Sequence, residues 1–519
     1  MGLRVYNTLT RRVEEFAPLE AGHVRMYVCG PNLYGPSHVG HALSYLVFDV
    51  IRRYLEYRGY RVTHIQNFTD IEDRIIETAR AQGTTIEALA GRYADRFLRE
   101  MNALNIRRAD HYPRATEAIP QMLDIIRALL ARGFAYAVDG DVFFRVTAFP
   151  AYGRLSGRSL DEMQAGSRVE VDPRKEHPMD FVLWKAAKPG EPSWDSPWGR
   201  GRPGWHIECS AMSLAHLGNH LDIHGGGQDV VFPHHENEIA QSEAYTGAPP
   251  FVRFWVHNGL LRLTEGPEKM TRHLGNIVTI EEALGRYHPD AIRVFVLSSH
   301  YRSPATWSDA SLEAATRGAE RLRIAAEHAE AVLRSAAAGK GGTRRASGLA
   351  PAADAARAAF EGAMDEDFNA PRALAAVFDL ATALNKAADS VTQSPETAPA
   401  AAELEAGSRM LRGLAGVLGL TLTASMSPAQ QAALRRLAED LVREQPGLFD
   451  PGHPLVDRLR AGGAGNAVSG EELVAFIADG RMRARQRKDW ATGDAIRSRL
   501  DSLGILLEDT PTGFTWRLR

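Results

Sequence analysis

The sequence predicts an α/β protein, followed by a helical bundle and a small mixed C-terminal unit. Strand-like and helix-like patterns alternate up to about Ser303, with the strand–helix–strand spacing of right-handed parallel units. Beyond Ser303 the chain becomes helical and alanine-rich, which predicts the bundle. A hydrophobic content of 44% and a charged content of 24% are those of an ordinary globular protein.

The first strands and helices follow from short apolar runs and helical periodicity. Residues 24–28 and 62–68 predict two strands, and residues 40–59 predict the helix between them, with apolar residues along one face. Residues 72–82 and 86–104 predict two further helices. Because ligands bind at the carboxyl ends of parallel strands, we expect the segments that follow both strands to line a site.

The parallel sheet is predicted to contain an insertion. From about Pro120 to Pro203 the pattern becomes irregular and rich in Pro, Gly and Trp, and strands resume near residues 221–224 and 251–261. We assign residues 1–302 to the α/β domain, with its connective insertion at about 115–205.

The rest of the chain divides into three parts. Residues 303–345 are assigned to a linking region and residues 346–460 to a helical domain. Residues 471–519 form a small terminal unit, with a basic helix predicted over 471–503 and a hairpin over 505–516.

Composition narrows the class of protein. No apolar run approaches the length of a membrane span, and the N-terminus lacks the apolar stretch of a signal peptide. Cys29 and Cys209 alone cannot form a disulfide framework, so we expect a cytoplasmic protein. A net charge of −3 gives no whole-chain signal for nucleic acid, which leaves local patches to provide binding.

Both cysteines lie in segments that indicate a site. Cys29 directly follows the first predicted strand of the sheet, and Cys209 ends the segment 204–209. Two thiols with His234 and Glu238, four apart on one helix face, form a ligand set suited to zinc. Spacing alone leaves three competing ligands, which are His206, His235 and Glu236. The alternative is two buried cysteines that act as small apolar side chains.

His38 and His41 open a predicted helix and indicate a phosphate site. Ser37 or His38 would cap this helix, and its free N–H groups attract anions. Two histidines three apart share one helix face, and Gly40 between them permits close approach of a nucleotide.

Two further segments favour nucleotide chemistry. Lys269 and Arg272 place two cations three apart in a loop, where they would stabilise a departing pyrophosphate; the alternative is a solvated basic loop. Residues 224–229 place glycines, among them Gly226, before Asp229, which could accept ribose hydroxyls; the alternative is a tight turn.

Taken together and in order, these segments resemble the class I aminoacyl-tRNA synthetases, and among them the cysteinyl-tRNA synthetase family. Residues 27–31, 38–41, 67–73, 180–185, 194–199, 203–210, 224–229 and 233–238 carry the resemblance in the first part of the chain. Residues 364–369 and 488–497 resemble the family's tRNA-binding region. The resemblance implies a Rossmann-like catalytic domain and a C-terminal anticodon-binding unit.

The resemblance also implies site residues, cofactors and partners. Zinc would be held by Cys29, Cys209, His234 and Glu238, and the substrate cysteine would add its sulfur. Thr69, Trp205 and His224 would complete the cysteine pocket with Cys29. ATP, with Mg²⁺, would contact His38, His41, Gly226, Asp229, Lys269 and Arg272. Of these residues, His38, His41, Lys269 and Arg272 would act in catalysis. The partners would be ATP, L-cysteine and tRNA(Cys), with no membrane, and a monomer is the family expectation.

The chain departs from the family's pattern at three positions. The Lys-Met-Ser-Lys-Ser loop of the family corresponds to residues 269–273, with Arg272 for the second lysine and His273 for the final serine. Leu43 replaces the arginine that usually follows the first histidine motif. These changes bear on the rate of adenylation more than on the substrate.

The terminal unit has a local excess of basic residues. Residues 481–499 contain seven arginines and lysines, among them Arg483, Arg487, Lys488 and Arg497, against Asp489 and Asp494. Such a patch would contact tRNA phosphates, and Trp490 or Trp516 would stack on a base. The alternative is an arginine-rich solvated helix.

Three other functions fit parts of the sequence. A related ligase would transfer activated cysteine to an amino sugar, but such enzymes have a shorter C-terminus. A paralogue that binds tRNA without charging it is supported only by the altered residues 269–273. A zinc hydrolase built on residues 234–236 leaves the nucleotide motifs unexplained.

Overall fold

The computed structural model describes residues 2–165, 172–263, 277–337, 348–393, 401–423, 426, 428–450, 452–460, 468, 470–510 and 513–518. Two compact units divide the chain. The first unit comprises Met1–Ile280 and Asp290–Thr421, and the second comprises Glu281–Pro289 and Leu422–Arg519. The segment with Lys269, Arg272 and His273 lies outside the described residues. None of the described helices is long and apolar enough to cross a bilayer.

Among the described residues before position 260 there are ten strands and seven α-helices. In chain order they are β1 (Arg4–Asn7), β2 (Arg12–Glu15), β3 (His23–Val28), α1 (Val39–Tyr57), β4 (Arg61–Gln66), α2 (Asp73–Ala81), α3 (Ile86–Ala103), α4 (Ile119–Ala131), β5 (Ala135–Val138), β6 (Asp141–Phe144), α5 (Leu160–Ala165), β7 (Phe181–Ala186), β8 (Gly201–Pro203), α6 (Trp205–Leu217), β9 (Leu221–Gly227), α7 (Glu236–Thr246) and β10 (Val252–Asn258).

The remaining elements are mostly helical. They are β11 (Leu261–Leu263), α8 (Ile280–Arg286), α9 (Pro289–Leu297), β12 (Ala305–Trp307), α10 (Asp309–Ala337), α11 (Leu349–Met364), α12 (Ala370–Gln393), α13 (Ala401–Val417), α14 (Pro428–Glu444), α15 (Pro454–Arg460), α16 (Gly470–Gln486), α17 (Trp490–Ser502), β13 (Ile505–Thr510) and β14 (Gly513–Leu518).

A parallel sheet in the order β10–β9–β3–β4 organises the first unit, as the sequence predicts. Tyr27 on the central strand β3 lies opposite Ile65 on one side and His224 on the other. The apolar run from Met26 to Val28 is fully buried, as expected for an inner strand covered on both faces. This register brings the carboxyl ends of β3, β4 and β9 to one edge of the sheet.

The insertion forms its own sheet. Strands β5, β6, β7 and β8 pair antiparallel in that order. After β12, helices α10, α11, α12 and α13 pack on one another through alanine-rich faces. Small side chains permit close helix packing, which explains the alanine-rich composition of this part of the chain.

The second unit differs from the prediction in two ways. Residues 422–460 belong with the terminal unit, whereas the sequence assigned them to the preceding helical domain. The single basic helix predicted over 471–503 is two helices, α16 and α17, separated at Lys488, whose φ of 61° is left-handed. Asp489 then caps α17 by accepting from the Thr492 amide at 3.1 Å. The predicted hairpin is confirmed as β13 and β14.

Candidate active site

Three strand ends build the site at one sheet edge. Cys29 directly follows β3, and its amide donates to the carbonyl of Gly225 in β9 at 3.0 Å. Thr69 follows β4, and a parallel bridge joins it to Asn32 in the segment that follows Cys29. The segments that follow these parallel strands therefore meet at the sheet edge where ligand binding is predicted.

The four predicted zinc ligands lie together. The Sγ atoms of Cys29 and Cys209 are 3.8 Å apart. Nε2 of His234 lies 3.4 Å from Cys209 Sγ and 3.1 Å from Oε1 of Glu238. One ligand atom from each of the four residues lies within 4.8 Å of all the others. We call these four residues the thiol cluster.

A second set of donors overlaps the thiol cluster. Cys29 and Glu238 also meet His224 and His235, again with all four ligand atoms within 4.8 Å. Nε2 of His235 lies 3.1 Å from Cys29 Sγ, closer than His224, whose Nε2 is 3.8 Å away. The competition from His235 that spacing left open therefore persists in the geometry. Glu236 instead accepts from the amides of Gly153 and Ser156.

Partners behind the cluster orient its histidines. Nδ1 of His234 lies 2.9 Å from Nδ1 of His206, and Nδ1 of His235 lies 2.8 Å from Nε2 of His257. His257 in turn contacts the hydroxyl of Thr8 at 2.8 Å. Such partners fix the ring and present the other nitrogen to a metal. Hence His206, which spacing left as a competing ligand, contacts His234 from behind.

The charges of the cluster favour a cation. Burial raises the pKa of the Glu238 carboxyl and of the Cys29 thiol, and burial depresses the pKa of His224 and His235. The hydrogen bond with Cys29 lowers the pKa of Cys209 to about 7. Oε2 of Glu238 is buried and has no hydrogen-bond partner among the described residues. Burial alone disfavours the ionised forms of the carboxyl and thiol groups, and a bound divalent cation would stabilise those forms. The donors therefore fit zinc.

A cavity of about 470 Å³ opens beside the cluster. Its wall includes Cys29, Trp205, the two histidines of the predicted phosphate site, Gly226 and Asp229. A volume of this size is in the range of small-molecule sites. Predicted metal, cysteine and nucleotide residues therefore share one pocket, which we call the adenylate cavity.

The start of α1 differs in detail from the prediction. His38 is the N-cap, and it forms a reciprocal pair of 3.3 Å hydrogen bonds with His41, each Nδ1 accepting from the other's backbone amide. The two rings stack with centroids 3.8 Å apart. They do not share a helix face, because His38 lies outside the helix. The rings still lie together at a helix N-terminus, where anions bind.

The predicted cysteine-binding residues surround the cluster at different depths. Trp205 is 39% exposed, and its ring lies 4.3 Å from that of His234. His224 is fully buried and stacks on Trp255 at 4.6 Å. Thr69 is buried, and neither Thr69 nor His224 is among the residues that line the adenylate cavity.

Sequence reasoning missed Glu208. Its buried Oε2 accepts from the Thr69 hydroxyl at 2.9 Å, and its Oε1 has no hydrogen-bond partner among the described residues. Burial raises the pKa of this carboxyl well above its usual range. Glu208 directly precedes Cys209, but only the fold shows that it meets Thr69 from a distant strand end. His257 was missed for the same reason.

The basic patch of the second unit is smaller than predicted. Arg483 pairs with Asp479 at 3.0 Å, and Arg481 is buried. Trp516 packs against the core of this unit, whereas Trp490 is 56% exposed and stacks with Arg485 at 5.6 Å. Arg499 is exposed but pairs with Asp440 at 3.2 Å, which leaves four exposed predicted residues, Arg487, Lys488, Trp490 and Arg497. We call these four residues the terminal patch.

Comparison with known proteins defines the class. Residues 15–317 match the family of class I (C) tRNA synthetase catalytic domains, and residues 359–423 match the DALR domain. A Mycobacterium tuberculosis methionyl-tRNA synthetase shares the fold, with a TM-score of 0.54 and 18% identity over 84% of this chain and 93% of that chain. An Agrobacterium radiobacter leucyl-tRNA synthetase does so with a TM-score of 0.55 and 12% identity over 78% and 85%. The fold is that of a class I aminoacyl-tRNA synthetase.

Full-length relatives narrow the class. The cysteine–tRNA ligase of Dehalococcoides mccartyi is 47% identical over 100% of both chains, and that of Pelotomaculum thermopropionicum is 47% identical over 99% of both. This chain belongs to the cysteine–tRNA ligase family.

Proposed function

We propose that this chain activates L-cysteine with ATP and transfers the cysteinyl group to tRNA(Cys), as a cytoplasmic monomer. The observation that supports it best is that Cys29 of the thiol cluster lines the adenylate cavity beside His38 and His41. Soft donors for a thiol-binding metal and a helix start suited to phosphates thus meet in one pocket.

The thiol cluster would hold zinc through Cys29, Cys209, His234 and Glu238. When bound, zinc would bond to a substrate thiolate, for which the hydroxyl of serine is a poor substitute. The chain's own residues provide the setting. Trp205 covers the ring of His234 on the cavity side, and burial of His234 and Glu238 keeps water from their donor atoms.

Activation would join the amino acid to AMP. The cysteine carboxylate attacks the α-phosphorus of ATP, and the bond from that phosphorus to the bridging oxygen breaks, releasing pyrophosphate. His38 and His41 would contact the phosphates at the start of α1, with Mg²⁺ accompanying ATP. Lys269 and Arg272 would stabilise negative charge that develops on the leaving pyrophosphate. Gly226 and Asp229 would contact the adenosine.

Transfer would then use tRNA as the nucleophile. A hydroxyl of the terminal ribose loses its proton and attacks the carbonyl of cysteinyl-adenylate. The bond between the carbonyl carbon and the phosphate oxygen breaks, and AMP leaves. The DALR match at residues 359–423 supports a tRNA-binding role for the helices after residue 346. Arg483, with the terminal patch, would contact the anticodon region through phosphate and stacking interactions.

Charging of total tRNA with radiolabelled cysteine tests the proposal. The purified, zinc-loaded protein with ATP and Mg²⁺ should place the label on tRNA that has the cysteine anticodon. Exchange of labelled pyrophosphate into ATP should depend on cysteine and fall by at least about 100-fold with serine, since a site built to bond one group rejects analogues that lack it.

Two other outcomes would redirect the proposal. Exchange without any labelled tRNA, combined with label on an added amino sugar, would indicate the sugar ligase. Absence of both exchange and charging would contradict activation altogether and would favour a paralogue that binds tRNA without charging it.

A further inference from the structure

A second cavity of about 500 Å³ lies against the turn that follows β9. Gln228, Asp229 and Val231 of this turn contribute to its wall. Asp229 also lines the adenylate cavity, so one residue borders both spaces. The wall of the second cavity contains three arginines, which are Arg11, Arg158 and Arg302. We call this space the arginine cavity.

Arg11 is held in place by the insertion. Its Nη2 donates to the carbonyl of Ser156 at 3.1 Å. Gly157 adopts a φ of +68°, and a Cβ there would fall 1.4 Å from Nη2 of Arg11. The glycine therefore provides both the turn and the space for the guanidinium.

The arginine cavity has an excess of positive charge. Arg302 pairs with Asp367 at 2.8 Å, which leaves it partly compensated. Arg11 and Arg158 form no ion pair with a carboxylate in the described part of the chain. Arg158 instead lies over the ring of Phe232 at 5.9 Å. Three guanidinium groups face the single carboxylate of Asp229 in the wall, so the cavity suits an anion such as a phosphate ester.

The position of the cavity identifies which phosphate it would bind. Asp229 separates it from the predicted nucleotide site. On another side its wall includes His257, which contacts His235, and His235 lies 3.1 Å from the sulfur of Cys29. The arginine cavity therefore shares Asp229 with the adenylate cavity and is connected to the metal donors through His257 and His235.

We infer that the arginine cavity binds a phosphodiester near the 3′ end of tRNA during transfer. This inference rests on the proposed function, which requires the terminal ribose to reach the activated carbonyl. A free phosphate-containing anion shares the same chemistry, so the experiment must separate the two sources.

The substitution Arg158→Gln tests the inference. Because the Arg158 side chain is exposed, the substitution removes one positive charge without leaving a buried gap. We expect KM for tRNA to rise about tenfold, the effect of losing one hydrogen bond to a charged group. Cysteine-dependent pyrophosphate exchange, which needs no tRNA, should stay within about twofold. Arg158→Lys should recover part of the loss, because it restores the charge without the planar fork.

Arg12→Gln is the matched control, since Arg12 is exposed beside Arg11 but is not among the residues of the cavity wall. It should leave both the KM for tRNA and the cysteine-dependent pyrophosphate exchange unchanged. Normal exchange in the wild-type protein establishes the proposed activation independently, so failure of the inference is distinguishable from failure of the function.

A truncated tRNA localises the contact. Binding of Arg158→Gln and wild type is compared for tRNA with an intact 3′ end and for tRNA that lacks its last three nucleotides. The inference predicts a penalty of about tenfold with intact tRNA that disappears with the truncated form. An equal penalty with both forms, a loss of exchange, or altered inhibition by inorganic phosphate without any tRNA effect would each overturn it.

Discussion

The thiol cluster and the terminal patch differ in burial and in how their side chains are held. Three of the four cluster residues are at least 98% buried, and His234 and His235 each have a histidine partner behind them. The residues of the terminal patch are exposed, and Arg497 forms no ion pair with any described carboxylate. The difference follows from what each region is proposed to bind.

Selecting one sulfur atom requires fixed donors at fixed distances, because metal bonds are short and directional. Binding a polyanion requires mainly exposed cations, which release counterions and tolerate variation in position. We therefore expect single substitutions to abolish function in the cluster but only to weaken it in the patch.

The largest predicted effect is on zinc affinity, and it shows which of the two overlapping donor sets binds the metal. His234→Ala should weaken zinc binding by at least about 100-fold, because even partners behind a ligand contribute 10- to 100-fold. His235→Ala should retain zinc within about tenfold. Zinc content after dialysis against a chelator series measures both. The reverse order would assign the metal to the set with His224 and His235.

Trp490→Ala tests whether the terminal patch contributes to tRNA binding alone. Loss of one stacked base should raise KM for tRNA about tenfold, with cysteine-dependent exchange unchanged. Leu19→Ala, which removes another exposed apolar side chain, serves as the control. Steady-state charging kinetics decide the outcome. An effect on exchange comparable to that on charging would show that the patch is not specific to tRNA.

Glu208→Gln should produce a smaller change within the buried region. The amide keeps the volume and one acceptor oxygen but exchanges the other carboxyl oxygen for an NH2 group, which competes for the position facing the Thr69 hydroxyl, so we expect KM for cysteine to rise about fivefold. Zinc content should be unaltered. Exchange kinetics at several cysteine concentrations test this. An unchanged KM would mean that Thr69 needs no orienting partner.

Buried histidine also predicts a pH dependence of stability. Burial, with Arg52 nearby, lowers the pKa of His64 to about 3, against about 6.5 in an unfolded chain. Between these values the unfolded state binds the extra proton, so this residue favours unfolding more strongly as pH falls below about 6.5. His64→Leu should therefore gain stability at low pH, by about 2 kcal/mol more at pH 5 than at pH 7.5.

Thermal unfolding followed by circular dichroism at the two pH values measures this gain. Both ring nitrogens of His64 lack hydrogen-bond partners among the described residues, so replacing this side chain with leucine should not leave any other group without its hydrogen bond. A gain that is equal at both pH values would contradict the buried, neutral state of His64.

Sequence reasoning succeeded where the signal is local. The strands near Cys29 and Thr69 and the helices that follow them lie within two residues of their predicted bounds, because apolar periodicity depends on neighbours in the chain. It failed where the decisive contact is distant. The bond from Thr69 to Glu208 joins residues 139 positions apart, and only the fold brings them together.

The terminal unit shows that sequence reasoning can also fail for local features. The composition of residues 481–499 indicated a basic helix but not its break, which depends on the left-handed Lys488 and the cap at Asp489. It also did not show that Arg483 pairs with Asp479, one turn earlier on the same helix. Counting charges thus overestimated the cations available for tRNA.

The most direct test of the central claim is zinc K-edge X-ray absorption of the metal-loaded protein, with and without cysteine. The thiol cluster predicts two sulfur ligands at about 2.3 Å, rising to three when cysteine is added and staying at two with serine. A single sulfur in the free protein would identify the set with His224 and His235. An unchanged sulfur count with saturating cysteine would contradict selection of the substrate through a metal–thiolate bond.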